Sequence, residues 1–540
     1  MPYRLLKSRL TSAAPAALLV IGAALAHAPA AHADTGTAAR RAPVYTGNYI
    51  VRWRDGSQTV DTPADTTRMR QVASSTGLGL TVKRPMSGAM QLLTVKDSRG
   101  DDPETVAKRL RNDPRIADAV PDRWLRLHDT IPNDPEFATN QTYLGPPSQV
   151  VGGVNLPKAW DRTRGSSSVV IAVVDTGYLP HPDLASRIIA GYNFVSTNGA
   201  TRTSDATDPG DYVPSGVTCP DGSAGPEAST WHGTRVAGTL GALTNNGLGI
   251  AGVDWSARIQ PVRVSGRCGA LLSDTVDGMR WAGGLSVPNV PNNPTPARVI
   301  NVSLGGGTCS TIEQQAINDL NAAGVVVVAA AGNSAGPVEA PADCSGVVAV
   351  TAHANDGENA SYANFGTQVT LSAPGGGCGN SKVGTIAGQP VCTAVGGQSY
   401  IRTLSNDGAT TIGNYTIVSS QGTSFATPMV SGVVALMFAV NGALTPAQVT
   451  TALQSSARPH PANTFCTTGS NVGKCGAGLL DADAALAAAI GTPASSTSTS
   501  TGSGGGGGGG GAMVPWSAAL LLVIGVMGFA IRRRVGVKRT

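Results

Sequence analysis

A doubly wound α/β fold on a parallel sheet is the architecture this sequence predicts, and three observations predict it. Residues 169–174 form a continuous apolar run, the mark of a strand buried on both faces, and similar runs recur at 299–304, 325–330 and 347–350. Helical stretches fall between them, as at residues 312–322, which Gly324 ends. Asp175 stands directly behind the first run and Asn333 behind the third, just beyond strand carboxyl ends, where open α/β sheets hold their functional groups. A last helix is expected at residues 481–489, so the α/β domain spans 150–490.

A smaller unit precedes it. Residues 49–53, 91–95 and 116–120 carry strand signals, and residues 63–75 and 103–112 helical ones, the second opened by Asp102 near its N-cap. The β-α-β-β-α-β order over roughly 80 residues describes a ferredoxin-like α+β unit, placed at residues 45–122, with 123–149 as linker and arm.

The 540 residues call for two or three units. Charged residues are only 14% and glycines number 69, which suits a loop-rich exported protein. The net charge of +5 is diffuse, and no basic face carries interleaved aromatics, so nucleic-acid binding is excluded from the main readings. At the N-terminus, Arg4, Lys7 and Arg9 precede an apolar stretch and an Ala31-His32-Ala33 cleavage site, so residues 1–33 read as a signal peptide. At the other end a Ser/Thr/Gly-rich linker, 491–511, includes eight consecutive glycines, 504–511. Residues 512–531 are apolar and long enough to span a bilayer, and the basic tail at 532–540 should stay cytoplasmic. The expected precursor is membrane-anchored in type I orientation, with its folded part outside the cytoplasm. This tail resembles the glycine-glycine sorting tails of some Gram-negative secreted proteins, which a rhomboid-type protease removes; a permanent anchor is the alternative.

Eight cysteines in an exported chain point to disulfides, although eight allow 105 pairings. Pairing of neighbours joins Cys466 to Cys475 and Cys378 to Cys392, leaving Cys309–Cys344 and Cys219–Cys268. No Cys-x-x-Cys is present, which disfavours zinc.

The chemistry lies in three segments: Val173-Val174-Asp175-Thr176-Gly177, His232-Gly233-Thr234-Arg235-Val236-Ala237-Gly238 and Gly422-Thr423-Ser424-Phe425-Ala426-Thr427-Pro428. Acyl transfer to a serine needs an imidazole to take the hydroxyl proton and a carboxylate to orient that imidazole. Singly, each residue has a plain explanation: an Asp in a turn, a filler histidine, a serine N-cap. Together, in the order Asp, His, Ser, they are set apart from α/β-hydrolases and chymotrypsin-like enzymes. The chain resembles the subtilisin-like (subtilase) serine proteases over residues 45–490. That resemblance implies Asp175 as orienting acid, His232 as general base and Ser424 as nucleophile. Ser424 is expected just ahead of a helix over 425–440, in which Pro428 would fall early enough to cost little.

The resemblance implies more. Ala329-Ala330-Ala331-Gly332-Asn333 matches the segment that carries an oxyanion-hole asparagine, here Asn333. Ser303, Leu304, Gly305 and Gly306 match the segment that pairs with extended substrate. The pocket floor is expected within residues 335–343. Asp343 there offers a carboxylate for a basic side chain, against the simpler reading of a surface-loop acid. The small unit resembles an inhibitor and chaperone propeptide, with the chain cut in residues 122–132. Partners are protein and peptide substrates, the chain's own propeptide and the tail-processing protease. The chemistry requires no cofactor. Structural calcium is expected by family, with Asp205, Asp208 and Asp211 as a candidate cluster that fits no defined loop. Two other readings compete with the secreted endopeptidase. A binding-only relative would show a degenerate triad, and an esterase would show Gly-x-Ser-x-Gly around its serine; neither feature is present. His232 in its full motif also disfavours the Glu/Asp acid-protease relatives.

Overall fold

The computed structural model describes residues 44–56, 63–124, 130–197, 199–386, 389–394 and 396–493. The expected signal peptide, the glycine run, the 512–531 apolar segment and the basic tail lie outside the described residues. The chain divides into two compact units, residues 1–128 and 129–540.

The first unit runs β1 (Tyr45–Trp53), α1 (Pro63–Thr76), β2 (Gly79–Met86), β3 (Met90–Lys96), α2 (Pro103–Arg111), β4 (Ile116–Arg123). Its antiparallel sheet has the order β2-β3-β1-β4, with β1 and β3 in the middle. Strand β2, which carries no clear sequence signal, lies at an edge with no fully buried residue, so nothing forces a hydrophobic alternation on it. Asp102 caps α2 as expected, its Oδ1 accepting from Glu104 N and Thr105 N at 3.1 Å each.

The second unit opens with α3 (Phe137–Asn140) and α4 (Leu156–Arg162). It continues through β5 (Val170–Asp175), β6 (Tyr192–Asn193), α5 (His232–Gly241), β7 (Arg258–Arg263) and the small hairpin β8 (Ser265–Gly266) and β9 (Gly269–Ala270). Next come α6 (Leu272–Ala282), β10 (Val299–Val302), α7 (Thr311–Ala322), β11 (Val326–Ala330), β12 (Val348–His353) and β13 (Leu371–Pro374). Two hairpins follow, β14 (Val383–Ile386) with β15 (Gln389–Cys392), and β16 (Ile401–Asn406) with β17 (Tyr415–Ser420). The unit closes with α8 (Thr423–Val440), α9 (Pro446–Ser456) and α10 (Ala482–Gly491).

Seven parallel strands form the sheet β13-β12-β11-β10-β5-β7-β6. Alternate residues of β5 point to opposite layers. Ile171 and Val173 pack in the layer that holds α5 and α8, while Val170, Ala172 and Val174 pack in the layer of α6 and α7. Burial on both faces is why the strands read as unbroken apolar runs. From β5 the chain builds toward β6 and β7, then resumes on the other side with β10. The switch point therefore lies between β5 and β10, and the crevice beyond their carboxyl ends is where an α/β sheet accepts a ligand.

Helix α8 is apolar on all sides and would pass for a membrane span by length and composition. Its apolar window is 83% buried, so it is the central helix of this core. Four disulfides form, Cys219–Cys268, Cys309–Cys344, Cys378–Cys392 and Cys466–Cys475, the neighbour pairing expected from sequence.

Candidate active site

Asp175 is the last residue of β5 and is buried. Thr176 N donates to its Oδ1 at 2.8 Å. Gly177 follows at φ +106, and a Cβ on Gly233 would collide with the Gly177 carbonyl. The two glycines thus let the chain behind β5 press against the start of α5. His232 is the first residue of that helix, and its Nδ1 lies 2.8 and 3.0 Å from the two Asp175 oxygens. Nδ1–H therefore donates to the carboxylate, which leaves Nε2 as the basic lone pair. Burial pulls the imidazole pKa down, but the charge and hydrogen bond of Asp175 outweigh it, and the net direction is upward.

Ser424 is the second residue of α8. Its hydroxyl donates to the Ser303 carbonyl at 3.0 Å, so it is not hydrogen-bonded to His232 in this state. The His232 ring is nonetheless close by, 5.8 Å between centroids from Phe425, the next residue along. The helix begins at Thr423, two residues before the expected start, and this corrects the reading of Pro428. Lying beyond the first turn, Pro428 does remove a ladder bond, the one its N–H would have made to the Ser424 carbonyl. Ser303 supplies the missing donor, its Oγ reaching the Ser424 carbonyl at 2.9 Å. Ser303 and Ser424 are thereby joined by two hydrogen bonds.

Asn333 lies three residues past β11. Its Oδ1 accepts from both Thr423 N and Thr423 Oγ1 at 2.9 Å. The side chain is oriented by the start of α8, and its Nδ2 has no acceptor among the described residues. A donor group thus stands ready beside Ser424.

A cavity of about 340 Å³ opens between the segment after β10 and the segment after β11, and Ser303, Leu304, Gly305, Asn333, Glu339 and Ser424 all border it. Gly305 permits close approach, since a Cβ there would strike the Ala340 carbonyl. Gly306 N donates to that same carbonyl at 2.9 Å, and Gly306 itself faces open space rather than the cavity. Of residues 335–343, where the pocket floor is expected, Glu339 is the one that lines the cavity. Asp343 points elsewhere: both its oxygens accept from Cys309 N, at 3.1 and 3.0 Å, beside the Cys309–Cys344 disulfide.

The calcium candidates need correction. Asp205 Oδ1 accepts from Thr207 N and Asp208 Oδ1 from Gly210 N, each closing its own turn, while Asp211 Oδ1 accepts from Thr230 N, 19 residues on. The three do not gather within ligand distance of one point; among the described residues only Cys309, Asp343 and Cys344 do so, and those sulfurs are bonded to each other. Asp208 instead accepts from Thr176 Oγ1 at 2.7 Å, while that oxygen accepts from Gly233 N at 2.9 Å, bracing the Asp175–His232 region. Two acids the sequence reading passed over, Asp134 and Asp183, share the turn 245–250. Asp134 accepts from Asn245 N at 2.7 Å, and Asp183 from Asn246 Nδ2 at 2.8 Å. Burial, with a contribution from Asp134, pushes the Asp183 carboxyl up to about 6.

Comparison with known proteins agrees with this arrangement. The Subtilase family profile matches residues 166–482. An extracellular protease of Xanthomonas campestris pv. campestris is 41% identical over 463 residues, which are 82% of this chain and 73% of that one. An extracellular basic protease of Dichelobacter nodosus is 33% identical over 516 residues, 89% of this chain and 77% of its own. A solved protease structure from Pseudoalteromonas arctica matches with a TM-score of 0.58 at 42% identity, covering 66% of this chain and 99% of that one. By its fold, its matched residues and these relatives, the chain belongs to the Subtilase family of serine endopeptidases.

Proposed function

We propose that this is an exported endopeptidase, made as a zymogen, that cleaves proteins through an acyl-enzyme on Ser424. The observation that carries the reading is the hydrogen bond of Asp175 to His232 Nδ1, set beside a serine at the start of α8. In the proposed cycle Ser424 Oγ leaves the Ser303 carbonyl and gives its proton to His232 Nε2 as it attacks the substrate carbonyl carbon. The oxyanion is held by Asn333 Nδ2–H and by the Ser424 N–H, one of the first-turn groups of α8 without an intrahelical acceptor. Asp175 stabilises the imidazolium, which then protonates the leaving amine. Water, deprotonated by His232, attacks the acyl carbon, releases the acid product and restores the Ser424 hydroxyl.

Export and zymogen status rest on the signal-type leader, on the named extracellular relatives and on the βαββαβ unit ahead of the catalytic unit, which would inhibit and chaperone it. Tail removal by a rhomboid-type protease would release the enzyme. Structural calcium stays a family-level expectation: among the described residues no third acid joins Asp134 and Asp183 at ligand distance, and an ion of that kind would take no part in bond cleavage. The test is Ser424→Ala, which should reduce peptide hydrolysis by up to about a million-fold and leave an uncut precursor. More than a few per cent of residual activity would remove Ser424 from its role.

A further inference from the structure

We propose that Glu339 makes this enzyme select substrates with a basic residue, Lys or Arg, immediately before the cleaved bond; the inference rests on Ser424 and Asn333 acting as described above. If the attacked carbonyl sits between Ser424 Oγ and Asn333 Nδ2, the side chain on that same residue enters the cavity those two groups border. The remaining lining comes from small or uncharged residues, so Glu339 is the sole ionisable group bordering it.

Glu339 is held in place from both ends. Its backbone N–H donates to the Ala331 carbonyl at 3.0 Å, fixing it beside the end of β11. Its Oε1 accepts from Asn364 Nδ2 at 3.2 Å and from Ser334 Oγ at 3.3 Å. Asn364 is fully buried and is itself oriented by Ser334 N and Gly336 N, which donate to its Oδ1 at 2.8 and 3.0 Å. Gly332 leaves the space the carboxyl needs, since a Cβ there would stand 3.0 Å from Glu339 Cδ. The second oxygen, Oε2, has no partner, and no Lys, Arg or His forms an ion pair with Glu339 among the described residues. A carboxylate with one oxygen anchored and the other not taken by the chain keeps its charge available to an incoming group. A cationic side chain completes it, a neutral one leaves it as it was, and an acidic one is repelled. About 340 Å³ is ample for a Lys or Arg side chain.

The experiment uses the processed wild-type enzyme and Glu339→Gln, which keeps an acceptor for Asn364 and Ser334. Substrates are peptides identical except for Lys, Arg, norleucine or Glu before the scissile bond. Norleucine matches the Lys stem without its charge. Wild type should favour Lys over norleucine in kcat/KM by about tenfold or more and cut the Glu peptide least, and the substitution should lower the Lys-to-norleucine ratio ten- to a hundredfold. Benzamidine should compete in wild type and lose that effect in the variant. The wild-type ratio decides even if the variant fails to fold. Equal cleavage of Lys and norleucine peptides overturns the proposal, as does a ratio unchanged by Glu339→Gln. Labelling by diisopropyl fluorophosphate separates the two levels. Enzyme that labels but shows no basic preference overturns Glu339 alone, whereas enzyme that neither labels nor cleaves any peptide overturns the Ser424 reading with it.

Discussion

Asn333 has two faces, and substitution can separate them. Its Oδ1 takes two hydrogen bonds from Thr423 at 2.9 Å, a capping role at the start of α8, while its Nδ2 is the donor the proposed cycle assigns to the oxyanion. Asn333→Ala removes both. Loss of one oxyanion donor costs about 2.7–4 kcal/mol of transition-state stabilisation, a hundred- to a thousandfold in kcat. Loss of the cap costs a further ~1 kcal/mol, but in folding stability. Asn333→Asp keeps an acceptor for Thr423 and replaces the donor with an oxygen that repels the oxyanion. Its stability should therefore stay near wild type while kcat falls at least as far as in the Ala variant. Steady-state kinetics on one chromogenic peptide, with thermal denaturation of the same preparations, measures both. KM should change little, because the amide meets charge present only in the transition state. A loss confined to KM, or an Asp variant that recovers kcat together with stability, would show that Asn333 acts only as a cap.

Further outcomes follow from the fold and the ends of the chain. Residues from about 133 onward, expressed without the first unit, should yield little active enzyme, and residues 49–122 supplied separately should restore activity, because a parallel-sheet core rich in non-local contacts folds slowly; prompt, complete refolding alone would contradict this. His353 is buried between Ser372 Oγ at 2.8 Å and the Gly152 carbonyl at 3.0 Å, and burial pushes its pKa down to about 3. The unfolded chain therefore binds this proton first as pH falls below about 6.5, and stability drops from there toward pH 3, by about 2 kcal/mol at pH 5. Urea titrations across that range should slope less steeply in His353→Gln; equal slopes would exclude His353 as the source. Mass spectrometry of culture supernatant should find the released protein ending before residue 512, as tail removal at the run of eight glycines requires; peptides from 512 onward would refute release.

What the sequence determined by itself is what lies close together along the chain. The valine-rich strands were legible because burial on both faces leaves no polar position, as in Val170–Asp175 and Val326–Ala330. The candidate catalytic residues were legible because each needs its own backbone context, a strand end for Asp175 and helix starts for His232 and Ser424. Strand β7 escaped notice because Pro261 interrupts its pattern, and a proline argues against a central strand until its neighbours are known. Tertiary structure alone decided which acid borders the cavity beside Ser424. Asp343 and Glu339 stand four residues apart on one loop, and composition cannot rank them. The Cys309 N–H takes Asp343 away, while buried Asn364 holds Glu339 at the cavity, and both partners come from other parts of the chain. The same holds for Pro428, whose missing hydrogen bond is made good by Ser303, 121 residues distant from Ser424. Local pattern reports how a side chain sits on its own strand or helix; which partner satisfies it depends on contacts across the sheet, and those exist only once the chain has folded.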